Sequence, residues 1–161
     1  MKSSVNLAWK VIGHELVKQN LESQLNSGHI SHAFLFAGPE GVGKLCLAQD
    51  FASQLLSAEN LLAHPDFKLV TATADTSVEQ IRVVISELGG RPFVGQYKVL
   101  IIDGAENLNL TSANALLKTL EEPSPSTVLI LVSNKKNLLP TVVSRCQLVL
   151  FSPLSNNDLS A

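Results

Sequence analysis

The stretch Ala33-Phe34-Leu35-Phe36-Ala37-Gly38-Pro39-Glu40-Gly41-Val42-Gly43-Lys44-Leu45 constrains this chain more than any other. Its apolar start reads as a short buried strand, its glycines as a tight loop, and its end as the first turn of a helix. Gly38, Gly41, Gly43 and Lys44 fit the pattern G-x-x-x-x-G-K. In such a loop backbone N–H groups close around phosphate oxygens, the lysine reaches the terminal phosphates, and the helix turns its positive end toward the same anion. The pattern should close with Ser or Thr, whose hydroxyl ligates magnesium. Here Leu45 stands in that place.

Two fixed glycines and a lysine arise by chance in roughly one chain of this length in twenty, so context must decide. An apolar strand precedes the loop and an amphipathic helix follows it. A second apolar run, Tyr97-Lys98-Val99-Leu100-Ile101-Ile102-Asp103, ends in the carboxylate that would hold magnesium through water. Gly104 comes next, where many ATPases with this loop place a glutamate that orients the attacking water. Losing a general base costs about 10²–10⁴ in rate, and losing a metal ligand adds to that. Lys44 and the backbone cradle could still hold ATP weakly. Self-contained hydrolysis is not expected, and no catalytic metal site is assigned.

The remaining chain supplies a matching frame. The helix after the loop is predicted over 43–56, with Ala48, Phe51, Ala52 and Leu55 as its stripe. An earlier helix is predicted over 15–26, with Val17, Leu21 and Leu25 on one face. Strands are predicted at 67–72, 97–103, 127–133 and 147–151. Helices lie between them: one marked by Val78, Ile81, Ile85 and Leu88, one over 111–121 with Ala113, Leu116, Leu117 and Leu120 buried, and a short one over 138–143 with Pro140 in its first turn. Strands and helices alternating at this spacing specify an α/β fold with a five-stranded parallel sheet. Ligands then bind at the carboxyl edge of the strands, where Gly38, Asp103 and Asn134 all fall.

Glu121 and Glu122 sit at the negative end of their helix, locally unfavourable by a few tenths of a kcal/mol. They are either solvated acids partly offset by Lys118 or a contact for a partner. His29 and His32 lie three apart with no third metal ligand nearby.

With 161 residues, 45% of them apolar and 16% charged, the chain suits one well-packed domain. The net charge of −2 argues against strong autonomous nucleic-acid binding. Arg82, Arg91 and Lys98 are candidate DNA contributors, with solvated surface charge as the default. Cys46 and Cys146 read as two free thiols in a reducing compartment. No apolar run is long enough to span a bilayer, and the N-terminal residues have no apolar signal core. The expected setting is cytoplasmic, without a membrane partner. Residues 2–6 are expected to fray.

Four blocks carry a family resemblance: Ile30 to Pro39, His64-Pro65-Asp66, Ala113-Asn114-Ala115-Leu116-Leu117-Lys118-Thr119-Leu120-Glu121-Glu122-Pro123, and Leu139 to Gln147 with its Ser144-Arg145-Cys146. Together they resemble bacterial DNA polymerase III clamp-loader subunits, AAA+ proteins of the delta prime and gamma/tau type. The resemblance implies a RecA-like P-loop NTPase domain of three layers over residues 1–152. Residues 153–161 would then begin a helical lid or form a tail. It assigns Gly38, Gly41, Gly43 and Lys44 to the nucleotide loop, Asp103 to the Walker B acid and Asn134 to the first sensor position. Arg145 takes the place of an arginine finger that acts on ATP bound to a neighbouring subunit. A planar, permanently charged guanidinium suits that task, although a surface arginine paired with a local acid would read the same way.

Leu45 and Gly104 are departures expected of a delta prime-like subunit, not of the gamma/tau motor. A four-cysteine zinc module often present in the family is not expected, because residues 57–63 contain no cysteine. The implied partners are other clamp-loader subunits and the sliding clamp, with primed DNA met only as part of the complex. The alternatives are an active gamma/tau-like ATPase and a shortened interaction domain. A small-molecule P-loop kinase is more distant, since no acceptor-binding segment is evident.

Overall fold

A computed structural model of the chain describes residues 9–135 and 138–154. Residues 2–6 and most of the expected tail lie outside the described residues. Five strands form one parallel sheet: β1 (Ala33–Ala37), β2 (Phe67–Thr71), β3 (Lys98–Asp103), β4 (Thr127–Ser133) and β5 (Gln147–Leu150). Their spatial order is β2-β3-β4-β1-β5, which puts β1 between β4 and β5 and makes the end of β1 a crevice in the carboxyl edge. The helices are α1 (Glu15–Ser27), α2 (Lys44–Leu56), α3 (Val78–Leu88), α4 (Leu110–Glu121) and the single turn α5 (Pro140–Val143).

Alternation along the strands divides the core in two. On one face Phe34, Phe36, Val99, Ile101 and Ile130 pack against Leu47 and Phe51 of α2 and Leu21 of α1. On the other Leu35, Leu100, Ile102 and Leu131 meet Ile81 of α3, Leu116 of α4 and Val142 of α5. These are the three layers. Because β1 and β4 are buried along their whole length, they appear in the sequence as unbroken apolar runs.

Local signals fix the helix starts. Ser77 and Gln80 form a reciprocal capping box on α3, and Asn109 Oδ1 accepts from the Ser112 N–H at 2.8 Å to open α4. Pro140 is the first residue of α5. Asp66 explains its place in the His-Pro-Asp block: it is buried, and its two carboxylate oxygens accept the Phe93 and Val94 N–H groups at 2.8 Å each.

Two expectations are corrected. The buried face of α4 is Ser112, Leu116 and Leu120, while Ala113 and Leu117 are half-buried. The helix is rotated so that a small hydroxyl side chain, not an alanine, meets the core. Lys98 is not a solvated surface charge: it is 7% exposed, donates to Glu87 O at 3.0 Å and Gly89 O at 3.1 Å, and lies over the Phe93 ring. Its ammonium closes the carboxyl end of α3, where cations are favoured. Arg82 is exposed and pairs with Glu79, and Arg91 is exposed. Cys46 and Cys146 are both free thiols.

Candidate functional site

The glycine loop begins where β1 stops. Gly38 donates its N–H to Ser133 O at the end of β4, 3.2 Å away, and Phe151 donates to Ala37 O at 2.8 Å. Neighbouring strands therefore pin the entrance of the loop from both sides. Gly41 and Gly43 have φ of 79° and 93°, a left-handed conformation that lets the loop fold back over the start of α2.

At that start Lys44 is 5% exposed. Its ammonium donates to Gly38 O at 2.8 Å, to Pro39 O and to Asn134 Oδ1 at 3.0 Å. An ammonium has three donors, so all three are held by protein oxygens. Burial pushes the Lys44 ammonium below the ordinary lysine range, and the carboxylates of Glu106, Asp103 and Glu40, in that order, act to raise it.

A cavity of about 370 Å³ opens here, lined among others by Gly41, Gly43, Lys44, Leu45, Asp103 and Asn134. The structure thus brings the loop, the acid at the end of β3 and the amide at the end of β4 to one place. Leu45 lines the same cavity and has no oxygen to offer a cation. Burial raises Asp103 above the usual carboxylate range, and the charge of Glu106 raises it further. A hydrogen bond from the Gly104 backbone and the charge of Lys44 pull the other way.

Glu106 belongs to this site, although its spacing gave no sign of it. It lies on a 3₁₀ turn (Ala105–Asn107) just after β3, and its Oε2 accepts the Asn134 N–H at 3.3 Å. No helical or strand period marks a residue in so short a turn. The chemistry of the cavity is therefore mixed. Backbone donors and Lys44 suit a phosphate, while Asp103, Glu106 and Glu40 bring three carboxylates against one ammonium. A polyphosphate would need a counter-cation to enter this field.

A second element missing from the sequence reading is the segment Trp9–His14. Lys10 donates its N–H to Asp50 Oδ2 at 2.9 Å, the Lys18 ammonium donates to Val11 O at 2.6 Å, and a His14 ring nitrogen meets Val42 O at 2.7 Å. A Cβ on Gly43 would come within 3.0 Å of Val11. Held this way, Val11 and Ile12 help to line a cleft of about 610 Å³ beside Gly41, Val42 and Leu61. The cleft adjoins the glycine loop, and its walls mix apolar side chains with polar ones such as Gln49, Asp50 and Glu59.

Arg145 is not brought to this site. It follows α5 and precedes β5, at the amino edge of the sheet. The β5 register, with Gln147 beside Phe34 and Leu150 beside Ala37, puts about four residues of extended chain, roughly 13 Å, between the level of Gln147, which Arg145 precedes, and that of Gly38. Its Nη2 pairs with Glu121 Oε1 at 2.9 Å and its Nη1 donates to Thr141 O at 2.9 Å. The acid that looked misplaced at the end of α4 thus has a partner within the chain. Among the described residues no group of three or more His, Cys, Asp or Glu is placed to hold a metal ion. None of the described helices is long and apolar enough to cross a membrane.

Comparison with known proteins meets this geometry. A family model described as "DNA polymerase III, delta subunit" matches residues 13–155. DNA polymerase III subunit delta' of Pseudomonas aeruginosa is 39% identical over 150 residues, covering 80% of this chain and 46% of that protein. Subunit tau/gamma of Haemophilus influenzae is 34% identical over 153 residues, covering 84% of this chain and 22% of that protein. This chain therefore spans half the length of these relatives or less. In structure, a DNA polymerase III gamma subunit-related protein from Thermotoga maritima aligns with a TM-score of 0.68 at 20% identity, over 85% of this chain and 47% of that one. The chain belongs to the DNA polymerase III clamp-loader family of AAA+ proteins, delta prime type, related to gamma/tau.

Proposed function

We propose that this chain is a delta prime-like AAA+ module that does not hydrolyse ATP itself and offers Arg145 to the nucleotide of an adjacent ATPase subunit during loading of the sliding clamp on primed DNA. The observation that carries this reading is the placement of Arg145. It sits on the edge of the sheet opposite the chain's own phosphate loop, exposed, with an acid and a carbonyl holding only part of its fork. A cation so placed can serve a neighbour's phosphates but not those of its own site. The nucleotide side agrees with this. The three donors of Lys44 are engaged by the protein, Leu45 carries no oxygen, and Gly104 carries no carboxylate. ATP would bind weakly or not at all. Residues 1–152 would form the AAA+ domain, and 153–161 would begin a lid or tail.

The test is an assembly of this chain with a tau/gamma-type ATPase, the remaining loader subunits and the sliding clamp. Arg145→Ala should lower single-turnover ATP hydrolysis and clamp loading by about 10³-fold, the lower range for a trans-acting arginine. Equal rates for the two proteins would remove the role.

One observation favours an active gamma/tau-like ATPase instead: Glu106 brings a carboxylate into the cavity that Gly104 leaves without one. Phosphate release by the purified chain, abolished by Lys44→Ala, would establish that reading. A chain that joins neither loader nor clamp would be an interaction domain of another kind.

A further inference from the structure

The ion pair between Arg145 and Glu121 has a role beyond surface charge balance. We infer that Glu121 is a positioning residue for Arg145, fixing the plane of the guanidinium at the edge of the domain so that its free donors face a neighbour's phosphate. This rests on the trans-acting reading of Arg145 given above.

A guanidinium carries five N–H donors in a rigid fork. Nη2 is held by Glu121 Oε1 at 2.9 Å and Nη1 by Thr141 O at 2.9 Å, with Ser144 Oγ a longer contact of Nη1 at 3.5 Å. The two nearer acceptors come from different elements, the last residue of α4 and the second residue of α5. Two anchors on separate elements define a plane, which one anchor cannot do for a side chain with four rotatable bonds. With the Ser144 contact counted, two donors remain for phosphate oxygens, so the anchors hold the arginine without consuming it.

Glu121 is itself well supported. It follows Leu120, which with Leu116 fastens α4 to the core, and Pro123 ends the segment two residues later. As a helix residue, however, Glu121 is badly placed, because the carboxyl end of a helix disfavours an acid. Lys118, the basic residue in the last turn of α4, is not its ion-pair partner among the described residues; Arg145 is. The site therefore favours an acid for its contact with Arg145, not for the stability of α4. At 50% exposure the Glu121 side chain also remains on the surface where a neighbouring subunit would meet Arg145.

The experiment is a double-mutant cycle in the same reconstituted loader, read by single-turnover ATP hydrolysis and by the affinity of this chain for the assembly. Glu121→Ala should slow hydrolysis by about 10-fold, less than the roughly 10²-fold that a 1 Å misplacement can cost, with assembly affinity unchanged. Glu121→Gln keeps an acceptor oxygen and should stay within about 3-fold of the native protein, because the hydrogen bond survives the loss of charge. In an Arg145→Ala background Glu121→Ala should have no further effect. The inference is overturned if Glu121→Ala leaves the rate unchanged or raises it, or if it slows hydrolysis equally without Arg145. An Arg145→Ala protein with native rates would remove the trans role itself. That outcome is distinct from an Arg145-dependent assembly indifferent to Glu121.

Discussion

Lys44 and Arg145 stand at opposite edges of the same parallel sheet, and their surroundings differ in kind. Lys44 is 5% exposed, and three oxygens of its own chain take its three donors. The Arg145 side chain is 34% exposed, and an acid, a carbonyl and a hydroxyl take at most three of its five. Both groups are suited by chemistry to phosphate. One is folded into the domain that carries it, and the other is presented outward. A group bound in the cavity at the carboxyl edge is therefore out of reach of Arg145 within this one domain.

The widest separation between the two edges should appear in hydrolysis by the loader. Arg145→Lys keeps the charge but replaces a planar fork with a point charge on a flexible stem. Single-turnover rates with this variant should fall nearly as far as with Arg145→Ala, by about 10³-fold. A lysine that restored more than a tenth of the native rate would mean that position 145 supplies only charge, and the geometric contrast with Lys44 would lose its point.

The nucleotide edge makes a second prediction, about what cannot be put back. Gly104 has φ of 80°, and a Cβ there would lie 2.8 Å from Ala72 O and 3.0 Å from the Asn107 side chain. The missing glutamate is therefore excluded by the backbone as well as by the sequence. A side chain in this conformation costs about 1–2 kcal/mol before any overlap, so Gly104→Glu should destabilise the fold by about 2 kcal/mol or more. Thermal unfolding should fall by roughly 4–8 °C, and the purified variant should gain no ATP turnover. Turnover at native stability would show that the loop can relax and that this edge is one substitution from catalysis.

The frame of this contrast was legible in the residues. Strands buried on both faces leave unbroken apolar runs, and β2 to β5 each fall within a residue or so of their expected bounds. Gly38, Gly41, Gly43, Lys44, Asp103 and Asn134 converge because a parallel sheet collects strand ends on one edge. What stayed hidden depends on tertiary contacts that leave no period. Glu106 sits in a single 3₁₀ turn, and Trp9–His14 is held by side chains of α1 and α2 and by a backbone carbonyl of the loop. Glu121 and Arg145 meet across 24 positions of sequence, which no spacing rule connects. Lys98 misled because a lysine between apolar residues looks like a surface charge until carbonyls from the end of α3 surround it.

Stability offers the next test, with the order of the two cations reversed. Lys44→Met keeps an unbranched side chain of similar length but leaves Gly38 O, Pro39 O and Asn134 Oδ1 without their donor. Of these the Gly38 O bond is the buried one; an orphaned buried acceptor costs about 1–3 kcal/mol, offset in part because an ammonium no longer has to be desolvated. A net loss of about 1–2 kcal/mol is expected in denaturant unfolding. Arg145→Ala removes an exposed ion pair and should cost less than about 1 kcal/mol. Equal losses would mean that Lys44 is not structurally engaged as its hydrogen bonds indicate.

The smallest expected effect isolates the electrostatics of the nucleotide edge. Asp103 is raised above the usual carboxylate range, chiefly by burial and then by Glu106. The folded chain therefore holds the Asp103 proton more tightly than the unfolded chain does. That preference contributes stability below the unfolded carboxylate value and is lost as pH rises through the folded one. At neutral pH the ionised Asp103 should weigh against the fold. Asp103→Asn removes the charge while keeping the shape, so its melting temperature should exceed that of the native protein at pH 7. The gap should close as pH falls toward 3, where the native carboxylate is also neutral. A variant less stable than the native protein at pH 7 would mean that the attraction of Lys44 and the Gly104 hydrogen bond outweigh burial. The cavity would then be tuned to keep its acid ionised, as a site that still handles a cation requires.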